Sequence, residues 1–325
     1  MGKARLAQVI ALAGILAIAV LLGFAGRRFL RRSAPPSPTP LPKPTRLVFY
    51  VVAHQDDWEL FRGEVAYRDL ASATTRSIFI HTTAGDAGET DGLWEAREQG
   101  SIAAMRAVGP PEPLTIETAS VRSHPIVCYR VGQSVDYFLR LPDGNMETGK
   151  GYEEYGNQSL AQLRDASKPI RAVDGSTSYP NWEDFWRTIE ALMSSEQARM
   201  PGVAPLLNAS DYSVRCNPKD HTDHVATGAA VREFASGRYD RVWFVGYDVE
   251  HRRPNLRSAD VRNKRALFRA YSAMVLELTT RNGEPVRPDD ENWRLYGSRS
   301  YSRSVPRGRP DVDDPRCAVE PGSTR

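Results

Sequence analysis

Residues 47–58 read LVFYVVAHQDDW. A continuous β-branched and aromatic run with no polar alternation belongs in a strand buried on both faces, in a sheet covered by helices on each side. The run ends in one histidine and two aspartates, groups that are costly to bury without a partner. Either these three side chains face water, or something of positive charge sits at the end of the strand.

The rest of the chain repeats the alternation. RSIFIHTT (76–83) reads as a second strand, and LWEAREQGSIAAMRAVG (93–109) as a helix stopped by Gly109 and two prolines. PLTIETA (113–119) and PIVCYRV (125–131) are weaker strand signals, and RVWFVGYDV (241–249) is another buried strand. NWEDFWRTIEALMSSEQ (181–197) predicts a helix capped by Asn181, with Phe185, Ile189 and Leu192 on one face. A long helix is expected over 256–278. Strands alternating with helices predict an α/β fold, a single domain over 46–279 built on an open, mostly parallel sheet with helices on both faces. Residues 280–325, rich in Arg, Asp, Pro and Gly, are expected to be an irregular extension.

Ahead of this body lies a different kind of sequence. After a short tail (1–5), residues 6–25 hold one polar side chain, Gln8, a length that matches a bilayer's hydrocarbon core. The stretch exceeds the usual apolar core of a cleaved signal and is followed by RRFLRR, so a single-pass membrane anchor is expected. Residues 26–45 are basic and then proline-rich, the composition of a semi-rigid linker. The balance of flanking charges favours the body on the cytoplasmic side by one charge. Residues 1–46 carry eight Lys/Arg and no acid, so the formal +3 of the whole chain conceals a body of net −5, which gives no case for nucleic acid. Three scattered cysteines, Cys128, Cys216 and Cys317, allow at most one bridge and make no metal site. Any metal would therefore use histidine and carboxylate.

Ligands of open α/β sheets bind beyond the carboxyl ends of the strands, where His54, Asp56 and Asp57 fall. Downstream, NPKDHTDH (217–224) offers His221, Asp223 and His224. Together these are suitable nitrogen and oxygen donors for a borderline cation such as zinc. Each cluster by itself also reads as a solvated helix start or surface decoration, and spacing leaves both readings open. His81, inside the second strand, reads as a hydrogen-bonded core or pocket residue.

AHQDDW resembles the (A/P)HPDDE signature of the PIG-L/LmbE-like family of zinc-dependent N-acetylglucosaminyl deacetylases, and HTDHVATG resembles that family's HPDHxxxG motif. TAGDAG (83–88) is similar to the family's glycine-rich loop, and AREQGSIAAMRAVG (96–109) to its R-x-x-E helix. The four motifs occur in the family's order across 47–275. The resemblance implies a Rossmann-like, LmbE-like fold and a zinc-dependent deacetylase acting on an N-acetylated amino-sugar substrate. It implies Zn²⁺ on His54, Asp57 and His224, with Asp56 as the general base towards water. His221 would stabilise the oxyanion or protonate the leaving amine, and Asp223 would orient a histidine ring. Arg97 and Asp86 are the implied substrate contacts.

The chain departs from the family's pattern at four positions. Gln55 and Thr222 replace prolines, Trp58 replaces a glutamate with Glu59 one position late, and Gly100 stands where R-x-x-E has its glutamate. The change at Trp58 implies either that an interaction behind the metal is missing or that the wall of the sugar site is altered. Alternatives of other kinds are an amidase on another small N-acyl compound and a non-catalytic zinc- or carbohydrate-binding domain.

Overall fold

The computed structural model describes residues 41–280 and 290–311. Its strands are β1 (Arg46–Val52), β2 (Thr75–Thr83), β3 (Leu114–Val121), β4 (His124–Val131), β5 (Ser134–Leu141), β6 (Ile170–Arg171), β7 (Ser178–Tyr179), β8 (Leu206–Ser210), β9 (Asp240–Phe244) and β10 (Ser302–Val305). The described helices are α1 (Asp57–Ala71), α2 (Leu93–Val108), α3 (Leu160–Ala166), α4 (Trp182–Ala198), α5 (Thr222–Ala235), α6 (Ser258–Thr279) and α7 (Asp290–Tyr296). Apart from the small β6–β7 hairpin, the strands form one sheet in the order β10-β9-β8-β1-β2-β5-β4-β3. The five central strands run parallel, while β10 at one edge and the β4–β3 pair at the other are antiparallel. This is the α/β architecture expected, a mostly parallel sheet with helices on both faces.

The two-residue period of a strand explains why β1 is apolar or aromatic at every position from Leu47 to Val52. Leu47, Phe49 and Val51 enter one core with Ile189 and Leu192 of α4 and Val231 of α5. Val48, Tyr50 and Val52 enter the other with Phe61 of α1, Met105 of α2 and Phe268 of α6. The strand is walled in on both sides. β2 lies on one flank of β1 and β8 on the other, so the strand order reverses here and opens a crevice at the carboxyl ends. Asn181 caps α4 as its sequence predicts, accepting a hydrogen bond from the Asp184 amide.

Three expectations are corrected. The strand expected over 241–249 ends at Phe244, and Tyr247–His251 forms a 3-10 turn. Within the segment expected to be irregular, α7 and β10 are ordered elements. Trp293 of α7 stacks on Phe268, Tyr296 on Tyr247, and β10 pairs with β9. Arg303 of β10 also grips Asp211 through two bonds. The third correction concerns the membrane. Among the described residues, no helix is long and apolar enough to cross one. The longest, α6, has 22 residues but carries Asp260, Arg262, Lys264, Arg265, Arg269 and Glu277. The stretch 6–25, on which the single-pass anchor and the cytoplasmic placement of the body rested, lies outside the described residues.

Candidate metal centre

Loops at the carboxyl ends of the parallel strands meet over β1. The loop after β1 brings His54, Gln55 and Asp56, and Asp57 opens α1. Asp57 turns back on the strand, its Oδ2 accepting from the amides of Ala53 (3.1 Å) and His54 (2.8 Å). Its other oxygen is thereby left facing the crevice. The loop after β8 supplies Asp220 and His221, and α5 supplies Asp223 and His224. In HTDHVATG, Gly228 has a packing reason: a Cβ there would overlap the carbonyl oxygen of Ser210. The glycine lets α5 lie directly on the end of β8 and carries His224 into the crevice.

There three donor atoms converge. His224 Nε2 is 3.0 Å from Asp57 Oδ1 and 3.1 Å from His54 Nδ1, and His54 Nδ1 is 3.6 Å from Asp57 Oδ1. Donors roughly 2.0–2.1 Å from one tetrahedral ion stand about 3.3–3.4 Å apart, which these spacings bracket. The outward nitrogens complete the pattern. His224 Nδ1 lies 2.9 Å from Asp220 Oδ1, so a proton held there leaves the Nε2 lone pair facing inward. His54 Nε2, buried, has Asp223 Oδ2 at 3.4 Å and Asp143 Oδ2 at 3.6 Å. Both rings are thus arranged as metal-binding histidines are, with a carboxylate behind.

The electrostatics point the same way. Burial opposes a charged His54, yet Asp57, Asp223 and Asp143 outweigh it and raise its pKa to about 10. Burial likewise opposes a charged His224, and Asp220 with Asp57 holds it well above the usual imidazole range. Asp57, despite its burial, is held well below the carboxylate range by His224 and His54. The side chains of Asp57, Asp143, Asp220 and Asp223 are all at most one-tenth exposed. Acids packed so closely out of water require positive charge among them. The donors therefore fit a divalent cation in chemistry, spacing and charge.

The other expected site residues surround this set. Asp56 lies beside it, its Oδ1 accepting from Arg97 Nη2 at 2.6 Å. His221 caps the start of α5, where its Nδ1 accepts from the Asp223 amide at 3.2 Å. That bond assigns the proton of the neutral ring to Nε2, 3.6 Å from Asp143 Oδ1. Burial and the neighbouring His54 pull His221 down to about 4. Asp86 is fully buried and spends its oxygens on the amides of Asp143 (2.7 Å) and Gly88 (3.1 Å). It ties two loops together rather than pointing into the crevice.

Trp58 is also completely buried, in the core beneath α1, and so forms no wall of the crevice. Its Nε1 donates to Ser101 Oγ (3.2 Å), which donates to Asp136 Oδ2 (2.7 Å). Asp136 Oδ1 lies 2.7 Å from His81 Nε2, and His81 Nδ1 is 3.3 Å from the His54 carbonyl. His81 is thus the hydrogen-bonded core residue its place in the strand suggested. Two acids were missed. Asp143 follows β5, a strand not anticipated, and the strand-end rule would have found it had β5 been recognised. Asp220 lies within NPKDHTDH, four residues before His224 and just ahead of α5.

The sequence motifs and the convergent donors thus coincide in one place. The chain resembles the PIG-L/LmbE-like deacetylases. No family model matches it, and no curated protein matches it. Among the solved structures that overlap it loosely are three with named activities. Teicoplanin deacetylase Orf2, in a zinc-inhibited form, shares 12% identity over 83% of this chain and 100% of its own, with a TM-score of 0.40. The N,N'-diacetylchitobiose deacetylase of Pyrococcus horikoshii shares 14% over 80% of this chain and 84% of its own, TM-score 0.39. GalB, the 4-carboxy-2-hydroxymuconate hydratase of Pseudomonas putida KT2440, shares 13% over 77% of this chain and 82% of its own, TM-score 0.36.

Proposed function

We propose that the chain is a metal-dependent deacetylase that hydrolyses the N-acyl bond of an amino-sugar-containing substrate. The observation that carries this reading is the convergence of His54 Nδ1, Asp57 Oδ1 and His224 Nε2 within 3.6 Å of one another, with the carboxylate of Asp56 outside the set. Zn²⁺ is the proposed ion, held by those three atoms; when bound it supplies Lewis acidity, polarising an amide carbonyl and making water acidic near neutral pH.

The chain's own residues divide the remaining work. Asp56 Oδ1 is engaged by Arg97, so Oδ2 is the oxygen that takes the proton from the attacking water. His221, neutral and protonated at Nε2, donates a hydrogen bond towards the charge that develops on the carbonyl oxygen, and the proton taken up by Asp56 passes on to the departing amine. Asp223 and Asp220 keep the His54 and His224 rings turned inward. Arg97 meets a hydroxyl or an anionic group of the substrate, and Asp86 ties the loop after β2 to the loop that carries Asp143. Trp58, on this reading, replaces an interaction behind the metal and leaves the sugar site untouched.

The test is to purify the full chain, measure bound metal, and assay acetate release from N-acetylated amino sugars for the wild type and Asp56→Asn. One zinc per chain with turnover that depends on Asp56 supports the reading. A well-folded protein that takes up no divalent metal would overturn it. Metal retained without turnover across the panel would favour a binding domain instead.

A further inference from the structure

Gln55 stands where the family signature has proline, and its surroundings give that exchange a purpose. The side chain is completely buried. Its Nε2 donates to the carbonyl oxygens of Thr83 (3.2 Å), the last residue of β2, and Ala84 (3.0 Å), the next one on. With both amide hydrogens committed to carbonyls, the amide cannot be flipped, since reversal would set its oxygen against two others. Oε1 therefore points the other way, and it accepts from Arg97 Nε at 3.2 Å. Arg97 in turn places Nη2 on Asp56 Oδ1 at 2.6 Å. Proline offers no acceptor for this chain of contacts.

The glycine-rich loop is built around the same contact. Gly85 adopts a positive φ of 59°, and a Cβ there would stand 2.8 Å from both Arg97 Nε and Gln55 Oε1. Only a residue without a side chain lets the loop pass over the pair. Gln55, Gly85 and Arg97 come from three separate sequence motifs and meet at one hydrogen bond.

We propose that Gln55 is a positioning residue: it holds the Arg97 guanidinium against Asp56, so that one carboxylate oxygen is occupied and the other is presented to water. A guanidinium makes five N–H donors available in a fixed plane, and anchoring its Nε sets the direction of the other two nitrogens. Gln55 thus couples the end of β2 to the orientation of Asp56 through a residue on α2. The catalytic consequence rests on the deacetylase reading; the contact itself does not.

The experiment compares full-length wild type, Gln55→Met and Gln55→Glu, each checked for fold by circular dichroism and for bound zinc. Arg97, with a side chain one-fifth exposed, is followed by phenylglyoxal modification and peptide mass spectrometry. Methionine has the length of glutamine but only a weakly accepting thioether in place of the amide oxygen, so Arg97 modification is expected to accelerate severalfold. Glutamate keeps the acceptor for Arg97 while losing both donors to the β2 end, so its Arg97 is expected to react as in the wild type. Unchanged modification in Gln55→Met overturns the proposal. Equal acceleration in both variants also overturns it, because Gln55 would then only staple the loop. If Gln55→Met fails to fold, Gln55→Asn, one methylene too short to span both sides, takes its place. In acetate-release assays, kcat for Gln55→Met should fall about tenfold to a hundredfold with KM little changed. An unchanged kcat with a freed Arg97 refutes the link to Asp56. A wild type without metal-dependent turnover removes the deacetylase reading, while the modification rates still decide what Gln55 holds.

Discussion

Asp220 and His224 are joined at 2.9 Å on the side of the ring turned away from Asp57. Asp220 is itself fixed, since the Tyr247 amide donates to its Oδ1 at 3.0 Å and Asn217 Nδ2 donates to Oδ2. An acid held this firmly behind a histidine sets both its tautomer and its direction. Asp220→Ala is therefore expected to weaken zinc affinity about 10- to 100-fold while leaving the fold intact. Competitive titration against a chromophoric chelator measures this. Affinity unchanged in the variant would mean that His224 is oriented by its packing alone.

Gly228 sits where α5 crosses the end of β8, with no room for a methyl group. The clash is with backbone, which cannot rotate away as a side chain can. Gly228→Ala should displace α5, lower stability by about 1–3 kcal/mol as overpacking does, and weaken metal binding along with it. Urea unfolding of the metal-free and metal-loaded forms separates the two effects.

Trp58 and Ser101 give a test of where the family's missing glutamate has gone. Trp58→Phe keeps most of the buried ring and removes the bond to Ser101, so it should cost about 1 kcal/mol in stability. Trp58→Ala empties part of the core and should cost about 3–5 kcal/mol. With Trp58 wholly buried, Trp58→Phe should leave KM for any hydrolysed substrate unchanged. A raised KM would put the indole back on the wall of the sugar site.

Lys264 is fully buried on α6 and donates to the carbonyls of Tyr296 (2.8 Å) and Arg299 (2.6 Å). Burial lowers its pKa from 10.5 to about 8, with Glu64 opposing and Arg299 assisting. The unfolded chain then holds a proton that the native chain has released between about pH 8 and 10.5. Native stability from this group is least below pH 8 and rises across that window. Relative to Lys264→Met, which lacks the group, the wild type should gain on the order of 1–3 kcal/mol between pH 7.5 and 10. Chemical denaturation of the two proteins at both pH values measures the difference. A constant gap would show that Lys264 keeps its proton throughout.

β1, β2, α2, α4 and α6 were legible in the sequence because hydrophobic period is a local signal and these elements are long. β5 was not, since SVDYFLRL carries Asp136 at its third position. That acid is tolerated only because His81 and Ser101, 55 and 35 residues earlier, pair with it. β8, five residues long with an asparagine in the middle, has too short a period to read. At the site, donors at a strand end or in a motif could be named, and His54, Asp57 and His224 do converge. Asp143 and Asp220 were missed, because their roles depend on which loops the sheet order sets side by side.

That order has a consequence for how the chain comes to be folded. His54 and His224 meet across 170 residues of sequence. During synthesis, the acids at the end of β1 leave the ribosome long before either β8 or α5 exists. Until then β1 lacks its neighbour on one flank, and Asp57 lacks His224 to balance it. The last parts of the crevice to form are thus the ones that make it habitable for charge. A dissolved divalent cation could reward only the finished topology, so its removal by a chelator should slow refolding less than it hastens unfolding.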